Sequence, residues 1–116
     1  MMRKVRLELA RSHDFPEGSG RHGYELDVPL LKDGKLDHDD WLKHRKGYGF
    51  RRFWGGEEDA HGQLRHDARG WMLSFGPSDD SETIFKADLH RFAVGEYISI
   101  KERDGHTRTF RVAAVH

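Results

Sequence analysis

Polar and apolar residues alternate with period two through most of this chain, and clusters of glycine, proline, aspartate and serine separate the alternating runs. Val5, Leu7 and Leu9 share one face of a first strand, with Arg6 and Glu8 on the other. Tyr24, Leu26, Val28 and Leu30 repeat the pattern, and Pro29 marks that strand as terminating or lying at an edge. The stretch 11–23 between them has no periodicity and reads as a long irregular loop. Lys32-Asp33-Gly34-Lys35 reads as a turn. Further on, Tyr48, Phe50 and Trp54 fall on one face with Arg52, and Gly49, Arg51 and Phe53 on the other. A weak polar strand follows at 63–68, then one carrying Trp71, Leu73 and Phe75, then Thr83, Phe85, Ala87 and Leu89 alternating with Lys86 and Asp88.

The segment 95–115 reads as a hairpin. Ile98 and Ile100 share parity with Phe110, Val112 and Ala114. A two-residue loop at Asp104-Gly105 would set Ile98 opposite Arg111 and split the apolar set between faces. An odd-numbered loop keeps it together. Two registers qualify: one has Gly105 as the left-handed third loop residue, the other pairs Ile100 with Phe110 and Glu102 with Arg108.

One segment, 37–46, departs from period two and carries helix chemistry. Asp37 is placed to cap the first turn, Asp39 and Asp40 sit at its positive end, and Lys43 to Lys46 are basic at its negative end. Leu36 and Trp41 have staple spacing, and Gly47 is a C-terminal stop. The sum is a mainly β fold. About seven to eight short strands form a small antiparallel barrel, sandwich or curled sheet, with one short helix near 37–46.

Composition narrows the classes. At 116 residues, residues 1–116 make a single domain. Cysteine is absent, which removes disulfides, thiolate metal sites and a cysteine nucleophile. Three Trp and seven Phe argue against disorder despite 34% charged residues. The amino terminus is charged too early for a signal peptide and no run reaches membrane-spanning length, so a cytoplasmic protein with no membrane partner and no cofactor is expected. Twenty basic and twenty acidic side chains cancel, so binding to nucleic acid would have to rest on a local patch.

Lys46-Gly47-Tyr48-Gly49-Phe50-Arg51-Arg52-Phe53 resembles the octapeptide of RNA-recognition motifs, and its first five residues resemble the matching strand of cold-shock domains. The resemblance implies that Tyr48 and Phe50 stack bases while Lys46 contacts the backbone. Arg51 departs from it, standing where the motif has an aliphatic residue, and the partner strand with its own aromatic pair is missing. Aromatics at period two are most often core, and the alternation reads first as the core face of an ordinary strand with basic residues at its rim. Across the chain, the segments at 21–25, 52–58, 95–100 and 109–112 resemble a group of small bacterial proteins with no assigned function. That likeness implies a compact bacterial domain and transfers no activity.

Two function classes remain. The first is a non-enzymatic binding module using the basic-aromatic segment 43–54, through Lys46, Tyr48, Phe50, Arg52 and Trp54, together with loop 11–23. Single-stranded nucleic acid is its specific version; a protein partner, or a homo-oligomer built on an aromatic face with Trp54 or Trp71 in the interface, is the alternative. The second is a small enzyme beside that loop, with His22 as general base, Glu25 or Asp14 orienting it and Arg21 binding an anion. Metal ligation could be drawn from His61 and His66 after Glu57-Glu58-Asp59, but no tight ligand pair such as H-x-H occurs, and solvent-facing imidazoles fit as well.

Overall fold

The structure, a computed structural model, describes residues 2–76, 81–84 and 87–116, with Asp88 as backbone alone. Its strands are β1 (Met2–Leu9), β2 (Ser19–Pro29), β3 (Gly49–Trp54), β4 (Ala60–Asp67), β5 (Gly70–Ser74), β6 (Ser81–Ile84), β7 (Tyr97–Lys101) and β8 (Thr107–Val115). Each pairs antiparallel with the next, and β8 returns to β1, so the sheet is a closed eight-stranded barrel. Closure removes the unpaired edges that an open sheet of these strands would expose. A barrel of eight strands has an interior that side chains can fill. Here Val5, Leu7, Tyr24, Leu26, Leu73 and Phe110 are among those that fill it.

Period two is obeyed where the sequence shows it plainly. Val5 pairs with Leu26 and Leu7 with Tyr24, so both strands turn their apolar faces inward. In the last hairpin Ile98 pairs with Phe110 and Ile100 with Arg108, leaving Arg103, Asp104 and Gly105 as the loop. Gly105 is left-handed at φ 86 and its N–H donates to the Glu102 carbonyl at 2.9 Å. This is the first of the two admissible registers.

Four expectations need correction. β2 already begins at Ser19, so the irregular connection spans 10–18 rather than 11–23, and Arg21 and His22 are strand residues. The helix, α1 (His38–Lys43), stops before Lys46; His44 is its C-cap at φ −136 and ψ 43, and Trp41 is its single buried residue while Leu42 is exposed. With one anchor, nothing holds a further turn against the barrel. The polar strand begins at Ala60 instead of 63. Finally, β6 ends at Ile84, its inward residues are Glu82 and Ile84 rather than Thr83, and Ala87–Leu89 is a 3-10 turn. The expectations for Phe85, Lys86 and the turn at 77–80 lie outside the described residues.

β4 is the crowded strand. It pairs with β3 through 60–63 and with β5 through 63–67, and Gly62 lies where both neighbours press closest. A Cβ on Gly62 would stand 2.0 Å from the Ser74 carbonyl oxygen and 2.6 Å from the Phe50 ring. Only glycine fits. α1 lies against this region, with Trp41 edge-on to Trp71 at 5.6 Å between centroids.

Candidate functional site

The octapeptide runs through the barrel wall, and parity divides it. Tyr48 and Phe50 face inward, at 3% and 6% exposure. The Tyr48 hydroxyl donates to Asp40 Oδ1 at 2.8 Å, and burial followed by this carboxylate pushes its pKa up to about 12. Phe50 packs edge-on to Phe75 at 4.9 Å. Neither ring has a face to offer a base, so the stacking platform implied by the octapeptide is absent. Arg51 points outward to Glu25 and Asp59, with its guanidinium over Phe53. The outward position explains why an aliphatic residue is not needed there.

The expected surface 43–54 is thereby split in two. Its first part borders a cleft of about 540 Å³ on the outer wall, between the α1–β3 connection and strands β4 to β6. Arg45, Lys46, Arg65 and Arg69 line it with His66, and among the described residues Asp67 is the one carboxylate there. All four cationic side chains are exposed. Arg69 pairs with Asp67 at 3.0 Å, and the Arg45 guanidinium lies over the Trp41 ring at 5.2 Å. The Trp41 indole N–H donates to the Leu64 carbonyl, which fixes α1 and the basic residues after it against β4. Outward parity puts Arg65 opposite Met72, on the same face as these groups. On a molecule of zero formal charge, the described residues of this groove are therefore mostly cationic.

The second part, Arg52 and Trp54, lies at one end of the barrel with the 10–18 connection. Trp54 takes the Arg52 guanidinium over its ring at 4.2 Å and the His22 ring edge-on at 4.5 Å; the Phe15 ring lies tilted, 4.7 Å from that imidazole. A cleft of about 530 Å³ runs between the connection and the β7–β8 loop. Beside it a smaller one of about 300 Å³ descends past Arg52, Trp54 and Arg108 to Glu82 and Glu102. Those two carboxylates are 1% and 4% exposed. Arg52 Nε reaches Glu102 Oε2 at 2.9 Å and Arg108 Nη1 reaches Glu102 Oε1 at 2.6 Å, while the Tyr24 hydroxyl meets both glutamates.

This cluster was overlooked in the sequence, although a signal for it exists. Glu102 shares parity with Ile98 and Ile100, and Arg108 with Phe110 and Val112, so two charges fall on an apolar face. Glu82 had no such frame, because the run around it reads with the opposite parity.

His22 does not have the partners of a general base. Its Nδ1 lies 2.7 Å from the Ser19 hydroxyl, its pKa is lowered by burial and then by Arg21 and Arg52, and Asp14 pairs with His13 instead. Glu25 is engaged by Arg6 and Arg51 on the outer face, and Arg21 is exposed. His61 sits on the outer wall opposite Arg51, whereas His66 packs among His38, Trp41 and Trp71. The two histidines do not converge, and among the described residues no three metal-ligating side chains gather. Trp71, at 1% exposure, is enclosed within its own chain and cannot lie in a subunit interface, although Trp54 is partly exposed.

Fold and site define a closed eight-stranded antiparallel barrel with a basic groove on its wall and a charged cleft at one end; among the described residues no helix is long and apolar enough to cross a membrane. Comparison of the chain with protein-family models, curated proteins and solved structures finds no match.

Proposed function

We propose that the protein is a non-enzymatic binding module that holds the phosphate backbone of a single-stranded nucleic acid in the groove beside α1. The observation that carries this reading is the segregation of charge among the described residues: Arg45, Lys46, Arg65 and Arg69 against Asp67, on a chain with no net charge. Guanidinium and ammonium groups spaced along a groove bind successive phosphates and release counterions. Because Tyr48 and Phe50 are buried, bases are not read by those rings, and recognition is largely independent of sequence. The groove replaces the octapeptide as the contact surface and keeps Lys46 in it.

The test is a titration with a short single-stranded oligonucleotide, following tryptophan fluorescence at several salt concentrations. Trp41 lines the groove and should report occupancy. Binding should weaken linearly in log–log salt, and Arg65→Ala should reduce the slope by about one, as removal of one phosphate contact does. Binding unaffected by Lys46→Glu together with Arg65→Glu would refute the proposal, as would no binding at low salt.

A further inference from the structure

Tyr24, Glu82 and Glu102 come together inside the barrel across sequence separations of 58 and 78 residues. The Tyr24 hydroxyl oxygen is 2.5 Å from Glu82 Oε1 and also in hydrogen-bond contact with Glu102 Oε2. A phenol has one hydrogen to donate, and an ionised carboxylate can only accept. With both glutamates ionised, one of these contacts would press two bare oxygens together in a buried space. A second proton is required, and the neighbours decide where it sits. Glu102 has two guanidiniums, from Arg52 and Arg108, which favour its charge. Glu82 has no guanidinium in hydrogen-bond contact among the described residues; its Oε2 accepts the Arg103 backbone N–H at 3.0 Å, leaving Oε1 toward Tyr24.

We infer that Glu82 is a built-in proton-binding site, whose carboxyl stays protonated through neutral pH and donates to Tyr24, which in turn donates to Glu102. The ligand of this site is the proton itself. The chain then has a single direction, from Glu82 through the phenol to an anionic Glu102 neutralised by Arg52 and Arg108. Glu82 and Glu102 both line the 300 Å³ cleft, so the proton can exchange with solvent without unfolding. Burial, the largest influence on Glu82, raises its pKa against the opposing hydrogen bonds from Tyr24 and the Arg103 N–H. Burial likewise holds the Tyr24 phenol far above its ordinary 10, with Glu82 and Glu102 adding to it, so the phenol keeps its hydrogen.

The consequence follows from linkage. Above the ordinary glutamate value the unfolded chain has lost this proton and the folded chain retains it. Stability then falls as pH rises from the ordinary glutamate value to the folded value, and levels off above it. Among the described residues the groups facing Glu82 are Tyr24 from β2, Arg52 from β3, Glu102 after β7, the Arg103 backbone and Arg108 from β8; Leu73 of β5 adds no charge, and Glu57, Asp104 and Arg103, whose guanidinium lies over Phe75 at 3.7 Å, line the same cleft. Glu82 lies next to the ladder in which β6 meets β7, which among the described residues has the two pairs Thr83↔Lys101 and Ile84↔Ile100. Loss of the proton would set two like charges against each other at that seam.

The experiment is carbon NMR on protein labelled at its glutamate carboxyls, from about pH 5 to about pH 10, with Glu82 assigned through its backbone. A neutral-acid shift at pH 7 that titrates above it is expected; an ionised shift at pH 7 overturns the inference. In parallel, wild-type Tm should fall relative to Glu82→Gln, which keeps a donor toward Tyr24, from about pH 5 up to the pH at which the Glu82 shift titrates. Parallel falls in both proteins would also overturn it. The NMR reading on the wild type stands even if the variant does not fold.

Discussion

The Trp41 indole N–H donates to the Leu64 carbonyl oxygen at 3.0 Å, joining the helix to the strand that faces it. Leu64 donates its own N–H to the Tyr48 carbonyl at 2.8 Å, so one residue of β4 anchors both ends of the 41–48 segment. The position of Arg45 and Lys46 beside Arg65 depends on this pair.

Trp41→Ala should cost about 3–5 kcal/mol, the range for removing a large buried aromatic. Trp41→Phe should cost less, about 1–3 kcal/mol, since much of the packing remains but the Leu64 carbonyl loses its donor. Urea denaturation measures both. If both variants still bind oligonucleotide as the wild type does, Trp41 does not orient the groove.

Gly62→Ala should destabilise by more than about 3 kcal/mol, beyond the usual overpacking range, because the obstructing Ser74 oxygen belongs to the backbone and cannot rotate away. Gly76→Ala, whose Cβ would meet nothing within 4 Å among the described residues, should change stability by less than about 0.5 kcal/mol. The contrast between the two denaturation midpoints checks the close approach of β3, β4 and β5.

Glu102→Ala should cost about 3–5 kcal/mol, because it strips Arg52 and Arg108 of a common buried partner. Double substitution with Arg108→Ala should cost less than the sum of the separate effects, since the groups share one network. Strict additivity in a denaturation cycle would show that the ion pairs contribute independently.

Asp104 accepts the His106 backbone N–H at 2.9 Å and faces Arg108; its pKa is lowered from the ordinary 3.8 to about 2, first by that backbone bond. A depressed folded value stabilises above 3.8 and is lost as pH falls through about 2. Its side chain is half exposed, so solvent screening keeps the effect small. Urea midpoints measured between those pH values should drop less steeply in Asp104→Asn than in the wild type.

Much of the barrel was legible as local chemistry. Val5, Leu7 and Leu9 had to share a face because side chains alternate along a strand, and the last hairpin needed an odd-numbered loop to keep Ile98 and Phe110 on one face, of which the structure takes the one with Gly105 left-handed. Asp37 caps Asp40 at 3.1 Å for a reason contained in those few residues. The helix end was not legible, because it depended on what Leu42 found to pack against, and Leu42 found solvent. The octapeptide misled for the same reason: alternation shows that Tyr48 and Phe50 share a face, and only the closed wall shows that the face is the interior.

By itself the sequence determined strand parity outside β6, turn chemistry in the last hairpin, the helix cap and the absence of cysteine chemistry, all set by backbone sterics and by neighbours a few residues away. Tertiary structure decided the rest. Closure of β8 on β1 chose a barrel over an open sheet, the assembled wall brought Glu82 and Glu102 to one phenol, and docking of α1 on β4 laid Arg45 and Lys46 beside Arg65 and Arg69. Parity states which way a side chain points and carries no information about which distant strand it will meet. That choice is made by the burial and pairing of the whole wall at once.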